Sequence, residues 1–240
     1  MLGNWDSIWS SRKVPVKEEL IEFLDECSYL HEDEMVLDVG CGNGASAKTI
    51  ENYGYRVVGV DLSKIGVLRA LAVIKPTSKL IVADATLLPI RAQSFKAAVC
   101  LGLIQQMKSN GAFNVLRGIH SALKARSRAL ITTRAFGCNM HVKGIVREPC
   151  VYRNAQRECE TMNLNEMRYL AECKPDSVIK GHSMTLTDPK YKGQIRKYFT
   201  IGELQEQVIK AGFSRVIRIK KTILKRNGKS RDSLQMVIEK

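Results

Sequence analysis

The sequence predicts a doubly wound α/β fold that ends in an antiparallel hairpin and carries a helical insert. Three observations lead there. Short apolar runs alternate with helical stretches from residue 35 to 133, the rhythm of a parallel sheet with helices on both faces. The run "RVVGVD" is β-branched and unbroken, as in a strand buried on two sides. Near the end, "SRVIRIKKTIL" and "SLQMVIE" flank an Asn-Gly pair, the turn chemistry of a hairpin.

The elements follow in order. "VPVKEELIEFLDECSYL" reads as an amphipathic helix, with Leu20, Ile21, Leu24, Cys27 and Leu30 at three-to-four spacing. "MVLDV" is the first strand, followed by a glycine turn and a helix to about Asn52. After the second strand, Ser63 is placed to cap the helix "KIGVLRALAVI". "KLIVAD", "KAAVCLG" and "RALITT" are strands three to five, with a helix around Ala112–Leu123 before the fifth. From Arg134 to Lys197 strand character is sparse and "NAQRECETMNLNEMRYLAE" is the one good helical stretch. An interval that long is seldom plain loop, so it is read as a lid or small subdomain. In "TIGELQEQVIKAG", Thr200 and Glu203 form a capping box and Gly212 is the stop signal. The organisation is thus one domain: a helical cover over about 1–34, a core over about 35–133, an insert over about 134–197, and core completion over 198–240.

At 240 residues the chain is long enough to bury a substantial core. No apolar run approaches the ~18 residues of a membrane span, and the start lacks a secretory pattern, so a cytoplasmic location is expected. Seven cysteines, odd in number and without a C-x-x-C pair, argue for a reducing compartment and against a disulfide framework. Four of them lie between Cys138 and Cys173, near His141, but at no familiar metal-ligand spacing. No metal is expected. Charge is one-sided: Met1 to His120 holds 13 Lys and Arg against 13 Asp and Glu, while Ser121 to Lys240 holds 25 against 11. A basic half beside a neutral one fits contact with a polyanion, or lysines that solubilise sheet edges.

"MVLDVGCGNGASAKTI" carries the chemistry. Glycines this dense weaken helix and strand, and here they open a helix at the carboxyl end of a strand, a place for a nucleotide-like ligand. Gly40, Gly42 and Ala45 satisfy the dinucleotide pattern, with Asp61 about twenty residues on. Against a nicotinamide stand Asp38 before the first glycine, a third glycine at Gly44, and a terminal hairpin where a second nucleotide-binding half would be.

On these residues, "LDVGCGNG" resembles the D-x-G-x-G-x-G motif of class I S-adenosylmethionine-dependent methyltransferases. "VVGVDLS", "ADATLLPIRAQSF" and "RKYFTIGELQEQVIKAGF" match that family in order and spacing. The resemblance implies a seven-stranded, mostly parallel Rossmann-like sheet and S-adenosyl-L-methionine as cofactor. It implies Asp38 near the amino group, with Gly40, Gly42 and Gly44 letting the backbone approach and offer N–H groups to the carboxylate. Asp61 would take the ribose hydroxyls and Leu62 the adenine face, with Asp84 and the Ala85 backbone on the adenine amino edge.

Two departures from the family are visible. Where relatives often carry histidines after the fourth strand, this chain has "LGLIQQM", so Gln105 and Gln106 stand there. Glutamine orients a substrate but accepts no proton at neutral pH. "LKARSRAL" puts Arg126 and Arg128 in a turn where proline and glycine are usual. No catalytic residue is assigned; His141, His182 and Tyr198 are weak candidates. Methyl transfer to a carboxylate, thiolate or ring nitrogen needs no base and rests on positioning. Three acceptor readings stay open. A tRNA acceptor fits the cations Arg215, Arg218, Lys220, Lys221, Lys225, Arg226, Lys229 and Arg231 and a faint resemblance to methyltransferases of tRNA wobble-uridine carboxymethyl groups. A small molecule fits Trp5 and Trp9 as part of a cover over the site. The third reading is a cofactor-binding protein without chemistry.

Overall fold

Strand β1 (Met35–Val39) is the first of five parallel strands, with β2 (Arg56–Asp61), β3 (Lys79–Val82), β4 (Phe95–Leu101) and β5 (Leu123–Arg134). The computed structural model describes residues 5–11, 17–135, 183–185, 195–226 and 229–240. Short strands β6 (Ser183–Thr185) and β7 (Ile195–Lys197) pair with each other antiparallel. Long strands β8 (Arg215–Arg226) and β9 (Lys229–Glu239) complete the main sheet. Its order is β3-β2-β1-β4-β5-β9-β8, with β9 antiparallel to both neighbours. This is the expected seven-stranded sheet with its terminal hairpin, a Rossmann-like arrangement.

Alternation along the strands sends side chains to two separate cores. Leu37, Val39, Ala98 and Cys100 face α5 (Ser109–Ala122) and α6 (Ile201–Lys210), against Val115, Leu116, Ile119, Leu204 and Val208. Val36, Ala97, Val99 and Leu130 face α2 (Glu18–Asp25) and α3 (Ala45–Asn52), against Leu20, Phe23, Leu24, Ala47 and Ile50. Both faces of β1 and β4 are therefore covered, which explains their near-continuous apolar sequence.

Caps behave as their side chains dictate. Ser63 Oγ accepts from the Gly66 N–H at 3.0 Å and starts α4 (Lys64–Leu71). Thr200 Oγ1 accepts from the Glu203 N–H at 3.1 Å and starts α6. The Glu203 carboxylate receives the Lys197 ammonium, which also donates to Ser109 Oγ at 2.6 Å and lies over the Phe199 ring. That buried pair fixes β7 and α6 against the start of α5. Ala135 and Phe199 form an isolated parallel bridge, and the Phe199 N–H donates to Arg134 O at 2.9 Å. Both ends of the expected insert thus meet at the carboxyl edge of the sheet. The expected helix at 154–172 lies outside the described residues.

Two expectations need correction. The first long helix ends at Asp25, so Cys27 and Leu30 are buried in the turns that follow, and Phe23 packs inward while Ile21 is 38% exposed. Turns beneath a helix can keep an apolar rhythm without being helical. Strand β5 starts five residues before Arg128, with a register shift between Phe95 and Ala97 on its partner. Arg126, at φ 59°, sits at this irregularity, whereas Arg128 is inside the strand, 3.3 Å from Glu239 and over the Tyr29 ring.

Candidate functional site

The carboxyl ends of β1, β2 and β4 converge on the glycine turn. Asp38 is the penultimate residue of β1 and is almost fully buried. Its Oδ2 accepts from Ser46 Oγ on α3 at 2.5 Å. Its Oδ1 is buried with no hydrogen-bond partner among the described residues. Burial pushes this carboxyl up to about 7, against the pull of the Ser46 hydroxyl, with the Asp61 charge raising it further and the Lys17 ammonium lowering it. A buried, half-satisfied acid of this kind calls for a cationic partner.

Asp61 ends β2 and ties two loops together. Its Oδ2 accepts from the Gly42 N–H and its Oδ1 from the Ser63 N–H, both at 2.8 Å. Burial raises this carboxyl despite those donors. Each oxygen keeps a lone pair for a further donor. Leu62 is half-buried beside it. Asp84 caps the 3-10 turn Ala85–Leu87, its Oδ1 accepting from the Thr86 N–H and Oγ1 at 2.9 and 2.8 Å, and Ala85 is buried there.

The turn itself departs from expectation. Gly40 and Cys41 donate their N–H groups to Val60 O at 2.7 and 3.2 Å, and Gly44 donates to Cys41 O at 3.0 Å. With Gly42 committed to Asp61, these N–H groups are engaged inside the protein and do not face an anion. The close approaches are made by side chains. A Cβ on Gly42 would lie 2.3 Å from the Trp9 ring, and one on Gly44 would lie 2.8 Å from Ala70 Cβ. On Gly40 it would lie 3.1 Å from Leu103.

Trp9 belongs to α1 (Trp5–Ser11), which packs on α4. Asp6 of that helix accepts from Ser63 Oγ at 2.5 Å and from the Ile65 N–H at 3.1 Å. Trp9 of this first helix lies against Gly42 and Gly66, and Asp6 is an anchor that the sequence reading missed.

At the end of β4, Gln105 is buried in the 3-10 turn Ile104–Gln106. Its Nε2 and Lys17 Nζ each lie 3.7 Å from the position of a Cβ on Gly102. Lys17 was also missed; it stands 21 residues before Asp38 with no local motif to mark it. Tyr198 is fully buried, as a packing residue is, and His141 and His182 lie outside the described residues. Among the described residues no cluster of His, Cys, Asp and Glu is placed to hold a metal ion.

Comparison with known proteins decides between a nicotinamide and a sulfonium ligand. Residues 36–126, which span the glycine turn, Asp61, Asp84 and the β4 site, match a family model described as a methyltransferase domain. This segment of the chain thus carries a methyltransferase domain. Solved structures agree on the fold. A methyltransferase from Methanosarcina mazei is 21% identical, with a TM-score of 0.65 over 95% of this chain and 99% of that one. One from Mesorhizobium loti is 18% identical, with a TM-score of 0.63 over 92% and 98%. The 1,6-didemethyltoxoflavin-N1-methyltransferase of Burkholderia thailandensis, solved with its substrate and S-adenosylhomocysteine, is 17% identical, with a TM-score of 0.61 over 93% and 77%. No curated protein matches by sequence.

The methyltransferase site fits the cofactor on its own chemistry. An orphaned buried carboxylate oxygen on Asp38 suits an ammonium, and the doubly held Asp61 keeps acceptor capacity for hydroxyls. Cys41 and Cys100 flank the site as buried thiols whose ionisation burial disfavours, so neither is a ready nucleophile.

Proposed function

We propose that the chain moves a methyl group from S-adenosylmethionine to a small-molecule acceptor, by in-line displacement with positioning in place of a strong general base. One observation carries the proposal: Asp38, buried with one unpartnered oxygen, stands between the glycine turn and the end of β4. The cofactor supplies an electrophilic methyl group on sulfur. Asp38 orients its ammonium, Asp61 its ribose, Leu62 its adenine face, and Asp84 with the Ala85 backbone its amino edge. Trp9 and Leu103 lie against the glycine turn and exclude water. Gln105 offers an amide that orients an acceptor without taking its proton. Desolvation and alignment then do most of the catalytic work.

Ion pairing favours the small molecule over RNA. Arg215 pairs with Glu239 at 2.9 Å, Arg218 with Glu22 and Glu26 at 3.3 and 3.1 Å, and Lys220 with Glu22 at 2.7 Å. Cations held this way by α2 and β9 are poor phosphate contacts, which act by releasing counterions. The Lys221 ammonium is buried, and the side chains of Lys225, Arg226, Lys229 and Arg231 lie outside the described residues. The Burkholderia neighbour, with its bound small substrate, supports the same preference. Among the described residues no helix is long and apolar enough to cross a membrane.

The test is incubation with methyl-labelled cofactor and a whole-cell extract separated into metabolite, RNA and protein fractions. Label is expected in metabolites. Label in RNA would establish the tRNA alternative, and cofactor binding without label anywhere would point to a protein that binds but does not transfer.

A further inference from the structure

The amino-acid end of the cofactor is a zwitterion, and the glycine turn meets only half of it. Its N–H groups at Gly40, Cys41, Gly42 and Gly44 are bonded to Val60 O, to Asp61 and to Cys41 O. An anion placed against the turn would have to break those bonds. Asp38 cannot help, since it is itself an acceptor. A carboxylate in this site therefore needs a side-chain cation.

Lys17 is in the right place. It immediately precedes α2, and its backbone carbonyl accepts from the Leu20 N–H at 3.0 Å, which fixes the root of the side chain at the first turn of that helix. Its ammonium reaches the carboxyl end of β4, 3.7 Å from the position of a Cβ on Gly102. Both Asp38 and Cys100 feel its charge, which favours their ionised forms. Lys17 thus places a cation at the end of β4, and Asp38 an acid at the end of the neighbouring β1. That is the complement of an α-amino acid.

We infer that Lys17 binds the carboxylate of the cofactor's amino-acid end while Asp38 binds its ammonium, so that Lys17 sets specificity for an intact amino acid on the nucleoside. The inference rests on the cofactor reading above and adds a residue to it. Lys17 is a binding and positioning residue; it holds the sulfur in register with the acceptor and takes no part in bond making.

Two nucleosides separate the possibilities: S-adenosylhomocysteine, which has the amino acid, and 5′-methylthioadenosine, which lacks it. Calorimetry on the full chain is expected to show Lys17→Met weakening S-adenosylhomocysteine by about 10- to 100-fold, the range of a hydrogen bond to a charged group. Binding of 5′-methylthioadenosine should stay within about twofold, because the lost contact is absent from that ligand. Lys17→Arg should recover most of the affinity, since it keeps charge and donors. A thermal melt confirms that each variant is folded. If Lys17→Met leaves S-adenosylhomocysteine binding unchanged, or weakens both nucleosides equally, the inference is wrong and the methyl-transfer reading survives. If that variant keeps nucleoside affinity but loses methyl transfer, Lys17 serves the acceptor instead, which also overturns it. Wild-type protein that binds neither nucleoside defeats the cofactor reading itself.

Discussion

If Asp38 holds the cofactor's ammonium as proposed, binding is a proton-linked event. Its carboxyl stands at about 7 in the ligand-free protein, chiefly through burial, against a reference of 3.8. The group is raised on folding, so the folded state holds the proton that the unfolded state has released between those two values. Stability is therefore lost as pH climbs from near 4 through 7, by about 4 kcal/mol at most above both, taking 1.36 kcal/mol per unit. An arriving ammonium reverses the preference, because it pairs with the ionised form. At pH 6 about 0.9 of the sites carry a proton that binding must expel, and at pH 7.5 about 0.2 do. Titration with S-adenosylhomocysteine in buffers of different ionisation heat measures that release directly. Affinity should fall roughly tenfold per unit below pH 7. Ser46→Ala removes the hydroxyl that lowers Asp38, so its affinity profile should shift to higher pH. Buffer-independent heats at pH 6, or a profile that moves down in Ser46→Ala, would refute the reasoning.

Further outcomes concern stability and are read by chemical denaturation. Gly44→Ala places a Cβ 2.8 Å from Ala70 Cβ and 2.9 Å from its Cα, at φ 81°; with backbone on one side it cannot relax cheaply, and a loss of about 1–3 kcal/mol is expected. Lys197→Met strands a buried Glu203 carboxylate and should lose about 3–5 kcal/mol, much of it regained when Glu203→Leu is added; a double variant no better than the single one would contradict this. Ser63→Ala deletes the α4 cap and the Asp6 partner together and should lose about 1 kcal/mol; an unchanged midpoint would show that α1 does not depend on this anchor.

Local rules made much of the fold legible. "RVVGVD" coincides residue for residue with β2, and Ser63 and Thr200 cap the helices they precede. These features depend on neighbours in sequence, where strand periodicity and side-chain caps act. The first helix reads too long because Cys27 and Leu30 keep the three-to-four apolar spacing while lying in buried turns beyond Asp25. The site divides in the same way. Asp38, the glycines and Asp61 are legible through their spacing around one turn. Leu103 reaches the turn, Asp6 the start of α4 and Lys17 the end of β4 from elements distant in sequence, and only tertiary packing brings them there.

The glycines illustrate how a motif can be right while its obvious physical reading is incomplete. Their density announces a close approach, and it is natural to reserve that space for a ligand. Here the approaches differ in kind. Gly44 lets α3 begin in a left-handed residue directly against Ala70 of α4, so it would be needed with no ligand at all. Gly40 and Gly42 meet Leu103 and Trp9, side chains on a loop and on a seven-residue helix. Their N–H groups are meanwhile engaged with Val60 and Asp61. On the proposed reading the turn is a floor that would meet its ligand by shape, and the charges that would recognise the amino acid come from Asp38 on the strand below and Lys17 at the root of α2.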